Sequence, residues 1–128
     1  MRLLLDTCAF IWAGQNSPEL SVAARGALLD PESELLLSVV SSWEIALKTA
    51  NGKIVLTEPV DLWVPRIRSL LGVASLAIEE EAALQVGKLP PHHRDPFDRM
   101  LVAQAIVHGC VLVTPDRAIA AYPVRTLW

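Results

Sequence analysis

The chain has 128 residues, a length that suits one domain spanning residues 1–128. The net charge is −3 and the isoelectric point lies near 5.5, which argues against a protein that binds nucleic acid through its overall charge. Hydrophobic residues make up 52% of the chain and the mean hydropathy is +0.39, but no apolar run approaches the roughly 18 residues of a membrane span. Asp6 interrupts the first apolar run too early for a secretion signal, so we expect a cytoplasmic protein with no membrane segment.

Apolar runs, helical spacing and turn residues divide the chain into alternating strands and helices. In chain order, the pattern predicts a strand at residues 2–5, helices at 7–12 and 19–29, a strand at 35–39, helices at 41–50 and 62–71, a strand at 73–76, helices at 78–86 and 96–108, a strand at 111–114, a short helix at 115–121 and a final strand at 124–127. The strands are continuous apolar runs, which is typical of a parallel sheet covered on both faces. We therefore predict an α/β fold, a three-layer α/β/α sandwich around a central, mostly parallel sheet of about four to five strands.

The helix predicted at residues 96–108 is the best defined of these elements. Asp95 fits its N-cap, Pro96 its first position and Gly109 its end. After Arg99 the helix is apolar almost all round, which indicates a position inside the domain. The carboxylate of Asp98 is therefore expected where a buried helix begins.

The two cysteines, Cys8 and Cys110, stand in apolar stretches at opposite ends of the predicted sheet. Cys8 follows the first strand and Cys110 precedes a late one, so about 15 Å separates them at ~3.3 Å per residue. A disulfide requires Cα atoms within about 7 Å of each other. We expect two free, structural thiols in a reducing compartment.

Four acidic residues fall at similar structural positions, after a strand or at the start of a helix. They are Asp6, Glu44, Asp98 and Asp116. Each has a structural explanation as a helix cap, as a charge that complements a helix dipole or, for Glu44, as one half of a capping box with Ser41. Taken singly, these structural explanations are the better ones.

Taken together, the same acids favour a metal site. In a parallel sheet Asp6, Glu44 and Asp116 would lie at one edge, and the central helix can bring Asp98 there. Clustered carboxylates repel one another unless they are protonated or neutralised. Mg²⁺ and Mn²⁺ prefer oxygen ligands, so we predict that all four acids hold such an ion, which in such cages activates water and stabilises in-line displacement at phosphorus.

Other chemistries have little support in the sequence. The chain contains no phosphate-binding loop of the GxxxxGK[ST] type, no GxGxxG after a strand, no GxSxG elbow and no HExxH pair. His92, His93 and His108 do not form a spaced ligand set, and we expect His92 and His93 in a solvated loop from which they could help to bind phosphate. Of the four tryptophans, Trp43 is the one that can line a site, because it adjoins Glu44.

Four short motifs, in their order and spacing, resemble those of PIN domains of the VapC toxin type. The motifs are LLDT at residues 4–7, SSWEIA at 41–46, DPFDRMLVAQA at 95–105 and VTPD at 113–116. The resemblance covers essentially the whole chain.

The resemblance implies a metal-dependent endoribonuclease whose family acids fall on the four acids named above. Thr7 and Thr114 match hydroxyl positions that support ligands or water. It also implies an RNA substrate, an antitoxin that holds the protein inactive, and a homodimer. The phosphate contacts expected from this resemblance are Lys48, Arg94, Arg99 and Arg117.

Hydrophobic content independently points to partners, because 52% is more than one small core readily hides. We therefore expect a homodimer that uses apolar helix faces, together with a hydrophobic groove for an inhibitory protein.

Two alternatives to the nuclease remain open. One is a receiver-like α/β signalling module in which Asp6 is phosphorylated, disfavoured because no lysine follows Lys88. The other is a PIN-like scaffold without activity, which the presence of all four acids argues against.

Overall fold

The apolar runs of the sequence form five short strands. In this computed structural model, which describes residues 1–128, they are β1 (Arg2–Leu5), β2 (Glu34–Ser38), β3 (Val73–Leu76), β4 (Val111–Val113) and β5 (Thr126–Leu127). The strands lie in the order β3-β2-β1-β4-β5, and every neighbouring pair is parallel. The predicted parallel sheet is confirmed, with five strands.

Six α-helices connect and flank the strands. They are α1 (Thr7–Gly14), α2 (Val22–Leu29), α3 (Val39–Ala50), α4 (Val60–Leu71), α5 (Glu80–Gln85) and α6 (Pro96–His108). Two 3₁₀ turns, Val86–Lys88 and Ile119–Ala121, complete the secondary structure. None of the helices has the length and apolar character needed to cross a membrane.

Two hydrophobic cores form because side chains alternate between the faces of the sheet. Leu3 and Leu5 of β1 enter one core, together with residues of α1, α2 and α4, and there the ring of Phe10 meets that of Trp63 edge-on at 5.8 Å. Leu4 enters the other core, which is built largely from α6. The sheet is therefore covered on both faces, and the predicted three-layer sandwich is confirmed.

The direction in which the chain extends the sheet reverses at β1. Strands β2 and β3 are added on one side of β1, and β4 and β5 on the other. The segments after β1 and β4 consequently leave in opposite directions and open a crevice at the carboxyl edge of the sheet, where sites form in such folds. Asp6 and Thr114 are the residues that follow these two strands.

Helix α6 has the predicted start and end. The Asp95 side chain accepts from the backbone N–H of Phe97, Pro96 is the first helical residue, and Gly109 ends the helix with φ 65°, a left-handed conformation that glycine adopts without strain. Residues 101–105 are all buried, as expected for a helix inside the domain. The helix therefore fixes Asp98 in its first turn against the core.

Two local predictions are wrong. Helix α3 begins at Val39, directly after β2, because Ser38 caps it by accepting from the N–H of Val40. Ser41 and Glu44 consequently lie inside the helix and do not form a capping box. The helix predicted at residues 115–121 is reduced to one 3₁₀ turn after a non-helical segment.

The cysteines are both free, as predicted, but their surroundings differ from the prediction. Cys110 is buried, whereas Cys8 is exposed, because its position in α1 directs it away from the core beneath Ala9 and Phe10. Cys8 is therefore not a core residue. Partial burial, followed by the charges of Asp6, Glu44 and Asp98, raises the pKa of its thiol to about 11.

The contact of α1 with α4 gives a first prediction. An added Cβ at Gly14, the last residue of α1, would lie 2.8 Å from Cγ2 of buried Ile67 and 3.1 Å from the Trp63 ring. Gly14→Ala should therefore lower the free energy of unfolding by about 1–3 kcal/mol through overpacking. Gly26→Ala in α2, where an added Cβ meets nothing within 4 Å, should raise it by about 0.4–1 kcal/mol. Urea unfolding of both variants measures this, and an unchanged Gly14→Ala would show that the two helices are not in close contact.

Candidate active site

Asp6 lies at the centre of the crevice and serves two functions. Its side chain caps α1, because Oδ1 accepts from the backbone N–H of Ala9 at 2.7 Å, so the capping role expected from the sequence is confirmed. The same side chain is almost fully buried at the end of β1, and its backbone N–H donates to the Val113 carbonyl of β4 at 3.0 Å. The pairing of β1 with β4 therefore places Asp6 beside the residues that follow β4.

Thr114 and Asp116 follow β4 in a tight turn. The Thr114 hydroxyl accepts from the backbone N–H of Asp116 at 3.1 Å, which leaves its own proton free to donate to Asp6. Oδ1 of Asp116 in turn accepts from the N–H of Ala118 at 2.8 Å. Thr114 thus links the two acids, in the supporting position that the resemblance implied.

Glu44 comes from α3 and is also buried, and both of its carboxylate oxygens have partners. Thr7 Oγ1 donates to Oε1 at 2.6 Å, and the Lys48 ammonium, one turn further along α3, forms an ion pair with Oε2. The hydrogen bond to Glu44 raises the pKa of Lys48. The sequence places Lys48 at a substrate phosphate. In the structure its ammonium instead neutralises the charge of Glu44.

His93 is the site residue that the sequence analysis missed. The prediction of a solvated position holds for His92, which is exposed, but not for His93, whose side chain is 19% exposed. Its Nε2 lies 2.8 Å from Oδ2 of Asp116 and 3.2 Å from Oδ2 of Asp98. The ring thus bridges two of the predicted acids. The only sequence signal is its position two residues before the cap of α6.

The protonation state of the His93 ring follows from its other nitrogen. The backbone N–H of Asp95 donates to Nδ1 at 3.0 Å, so Nδ1 carries a lone pair and the ring proton of this tautomer is on Nε2. Nε2–H is therefore a donor to the two carboxylates. The His93 backbone is itself fixed, because its N–H donates to the Tyr122 hydroxyl at 2.9 Å.

Burial and mutual repulsion change the acidity of two members of the cluster. Burial raises the pKa of Asp6 to about 6, with further increases from Glu44 and Asp116 that the Thr114 and Ala9 hydrogen bonds oppose. Burial, followed by the charge of Asp95, raises the pKa of Asp98 to about 7, against the effect of His93. The charges of Glu44 and Asp6 also raise the pKa of Asp98. Because Asp116 raises the pKa of Asp6 in the same way, the four predicted acids share one electrostatic environment.

The arginines expected at phosphate divide into two groups. Arg99 is committed to the protein interior, because its guanidinium donates to the carbonyls of Pro90 and Val86 and to the Tyr122 hydroxyl at 3.0–3.1 Å. Arg94 and Arg117 are exposed. These two remain free for a substrate, and Arg99 instead fixes the segment that carries His93.

The donor set fits a hard divalent cation. Carboxylate oxygens of Asp98 and Asp116 lie within 4.8 Å of each other and of His93 Nε2, and the Asp6 carboxylate adjoins them through Thr114. The set is rich in carboxylate oxygen and contains no thiolate, which suits Mg²⁺ or Mn²⁺. Such an ion would also offset the burial and the repulsion that otherwise keep protons on Asp6 and Asp98.

The raised acid pKa values predict how the metal-free protein responds to pH. The unfolded chain releases these protons near pH 3.8, whereas the folded protein holds them to about pH 6 at Asp6 and about pH 7 at Asp98. The folded state therefore binds more protons in this window, and the free energy of unfolding falls as pH rises through it. In EDTA, we expect the melting temperature to fall between about pH 4 and about pH 7, less steeply in Asp98→Asn. Equal slopes for the two proteins would contradict a raised pKa at Asp98.

A third prediction concerns His93. His93→Ala removes the donor between Asp98 and Asp116 and also the acceptor for the Asp95 N–H. In EDTA it should lower the free energy of unfolding by about 1–3 kcal/mol, because buried polar groups lose their partners. His92→Ala, at the exposed neighbouring position, is the matched control and should lower the free energy of unfolding by less. Urea unfolding of the two variants makes the comparison, and equal losses would place His93 outside the site.

Comparisons with known proteins agree with this geometry. Residues 3–124 match the family model described as PIN domain. The chain is 32% identical over 121 residues to Ribonuclease VapC22 of Mycobacterium tuberculosis, covering 94% of this chain and 91% of the relative. Its fold resembles that of VapBC2 from Rickettsia felis bound to a promoter DNA fragment, with a TM-score of 0.73 and 14% identity over 98% of this chain and 97% of that one. It also resembles a toxin–antitoxin complex from Klebsiella pneumoniae, with a TM-score of 0.60 and 19% identity over 93% of this chain and 90% of that one. The chain belongs to the PIN-domain family, in the group of the VapC ribonucleases.

Proposed function

We propose that this protein is a Mg²⁺- or Mn²⁺-dependent endoribonuclease that hydrolyses RNA phosphodiester bonds as the toxin of a toxin–antitoxin pair. The observation that carries the proposal is the convergence of Asp6, Glu44, Asp98 and Asp116 at the β1–β4 crevice of a PIN-domain chain. Family membership disfavours the receiver-like alternative, since it gives Asp6 a nuclease context.

The metal site in this proposal consists of the four acids. Oxygens of Asp98 and Asp116 lie within 4.8 Å of each other, and Asp6 is close enough for its charge to act on both. Glu44 would complete the set through the lone pairs that Thr7 and Lys48 leave free. Bound there, the cation would supply an activated water and would neutralise negative charge on the phosphate oxygens.

The other residues of the site orient and compensate these acids. Thr7 and Lys48 fix the Glu44 carboxylate, and Thr114 donates to Asp6. His93 holds a proton at Nε2 between the Asp98 and Asp116 oxygens. Arg94 and Arg117, both exposed, are the proposed contacts to RNA phosphates, whereas Lys48 and Arg99 already have partners in the protein.

The proposed partners are an antitoxin and a second copy of the chain. Support for the antitoxin comes from the similar VapBC2 and Klebsiella pneumoniae structures, which are complexes. A depression of about 630 Å³ between α3 and α4, half of whose lining residues are hydrophobic, is a groove of the kind expected for it. Support for a homodimer comes from large apolar side chains left exposed on helices, such as Leu62, Leu70 and Leu84.

The test of the proposed function combines cleavage with melting. The protein should cleave mixed RNAs in Mg²⁺ or Mn²⁺ and not in EDTA. Asp6→Asn and Asp98→Asn should each lower the cleavage rate about 100-fold or more. Glu80→Gln, at an exposed position on α5, is the control and should keep full activity. Added Mg²⁺ should raise the melting temperature of the parent and much less that of the two Asn variants.

Two results would decide against it. Cleavage by the parent that persists in EDTA, while Asp98→Asn is inactive, would contradict metal dependence. A parent that neither cleaves RNA nor gains stability with Mg²⁺ or Mn²⁺ would favour the inactive scaffold.

A further inference from the structure

A second pocket adjoins the acid cluster. It is a cavity of about 380 Å³ between α3, the α5 region and the start of α6, and we call it the aromatic pocket. Seven of its ten lining residues are hydrophobic, and two of them are the aromatic residues Trp43 and Phe97. Their rings meet at 5.1 Å with an angle of 74° between the planes. Trp43 is 58% exposed, so much of its indole surface has no partner in the protein.

The aromatic pocket lies next to the proposed reaction centre in the chain and in space. Trp43 immediately precedes Glu44 on α3, and Phe97 immediately precedes Asp98 on α6. Successive residues of a helix point in directions about 100° apart, so each aromatic ring covers surface adjoining its acidic neighbour. A substrate whose phosphate reaches the acids therefore has its neighbouring groups within range of the pocket.

The charges that line the pocket favour a ligand that carries phosphate. Two arginines and no acidic side chain line it. Arg99 is held by its three internal acceptors, whereas Arg94 is exposed at the pocket. The pocket thus combines a flat apolar wall with a free guanidinium, beside a region dominated by carboxylates.

The charge of the whole chain makes stacking a favourable route to RNA binding. The chain has a net charge of −3, and Lys48, the cation nearest Glu44, is already paired. Few phosphate contacts are available to a protein with this distribution, so electrostatic attraction supplies little affinity. Aromatic stacking on a base contributes more to the affinity of such a protein than electrostatic attraction does, because stacking does not depend on net charge.

We propose that the aromatic pocket binds one unpaired base of single-stranded RNA, stacked on Trp43, with Arg94 at the adjoining phosphate. The inference rests on the proposed function, which supplies RNA as the substrate. It selects single-stranded RNA, because the bases of a duplex are already stacked on each other and cannot enter a pocket. Trp43 is then a specificity-determining residue of the site.

The experiment separates the base from the phosphate. Short oligoribonucleotides and matching oligomers with abasic riboses are titrated into the protein in EDTA at low salt, with tryptophan emission and anisotropy of labelled RNA as readouts. The base-bearing oligomers should quench emission and bind, and the abasic ones should do neither. Trp43→Leu should lose the quenching and bind RNA about 5- to 150-fold more weakly, whereas Trp43→Phe should recover most of the affinity.

Trp128→Phe is the matched control, because Trp128 packs on Trp12 at 5.8 Å and should leave quenching and affinity unchanged. Equal binding of RNA by Trp43→Leu and the parent, or equal binding of abasic and base-bearing oligomers, would overturn the proposal. A change in the mass of Trp43→Leu by light scattering with RNA binding intact would instead identify the pocket as a protein interface and also overturn it.

A cleavage assay in Mn²⁺ on the same proteins distinguishes this inference from the proposed function. If the parent cleaves RNA while Trp43→Leu behaves identically in all assays, the nuclease remains and the base pocket is wrong. If the parent cleaves no RNA, the proposed function fails, and the binding data in EDTA still decide whether a base stacks on Trp43.

Discussion

Repulsion among carboxylates at one edge of the sheet is the constraint around which the rest of the site is built. Asp6, Glu44, Asp98 and Asp116 share an environment in which burial alone already disfavours charge. The protein compensates each acid locally, with a threonine, a lysine, a histidine or a backbone N–H. These compensating groups are numerous enough to keep the acids in place and leave a net negative charge for a cation to neutralise.

The parallel sheet is what brings such an unfavourable set together. Each acid lies on or directly beside an element whose apolar residues are anchored in the cores, so packing determines its position. Helix α3 belongs to both cores, with Ile45 in one and Val40 in the other. Glu44 and Trp43 are therefore carried on an element that is fixed from two sides.

Much of this architecture can be predicted from the sequence, because it depends on short-range patterns. Continuous apolar runs predict buried strands, and acids directly after them predict an edge cluster. The Asp95-Pro96 start of α6 is equally local. The position of His93 could not be predicted, since it depends on the path of a loop fixed by Tyr122 and Arg99. The predicted capping box of Ser41 and Glu44 is wrong because Ser38 and Ser41 are both suitable N-cap residues. The end of β2 at Ser38 decides which of them caps α3.

The three hydrogen bonds of Arg99 have a consequence for which sequences this fold tolerates. One planar guanidinium joins the 3₁₀ turn at Val86, the loop at Pro90 and the Tyr122 hydroxyl, and Tyr122 in turn holds the backbone of His93. A lysine presents a single ammonium and cannot reproduce a planar fork that spans several acceptors. A lysine at position 99 would therefore leave some of these acceptors without a donor, and the loop that carries His93 would lose part of its support.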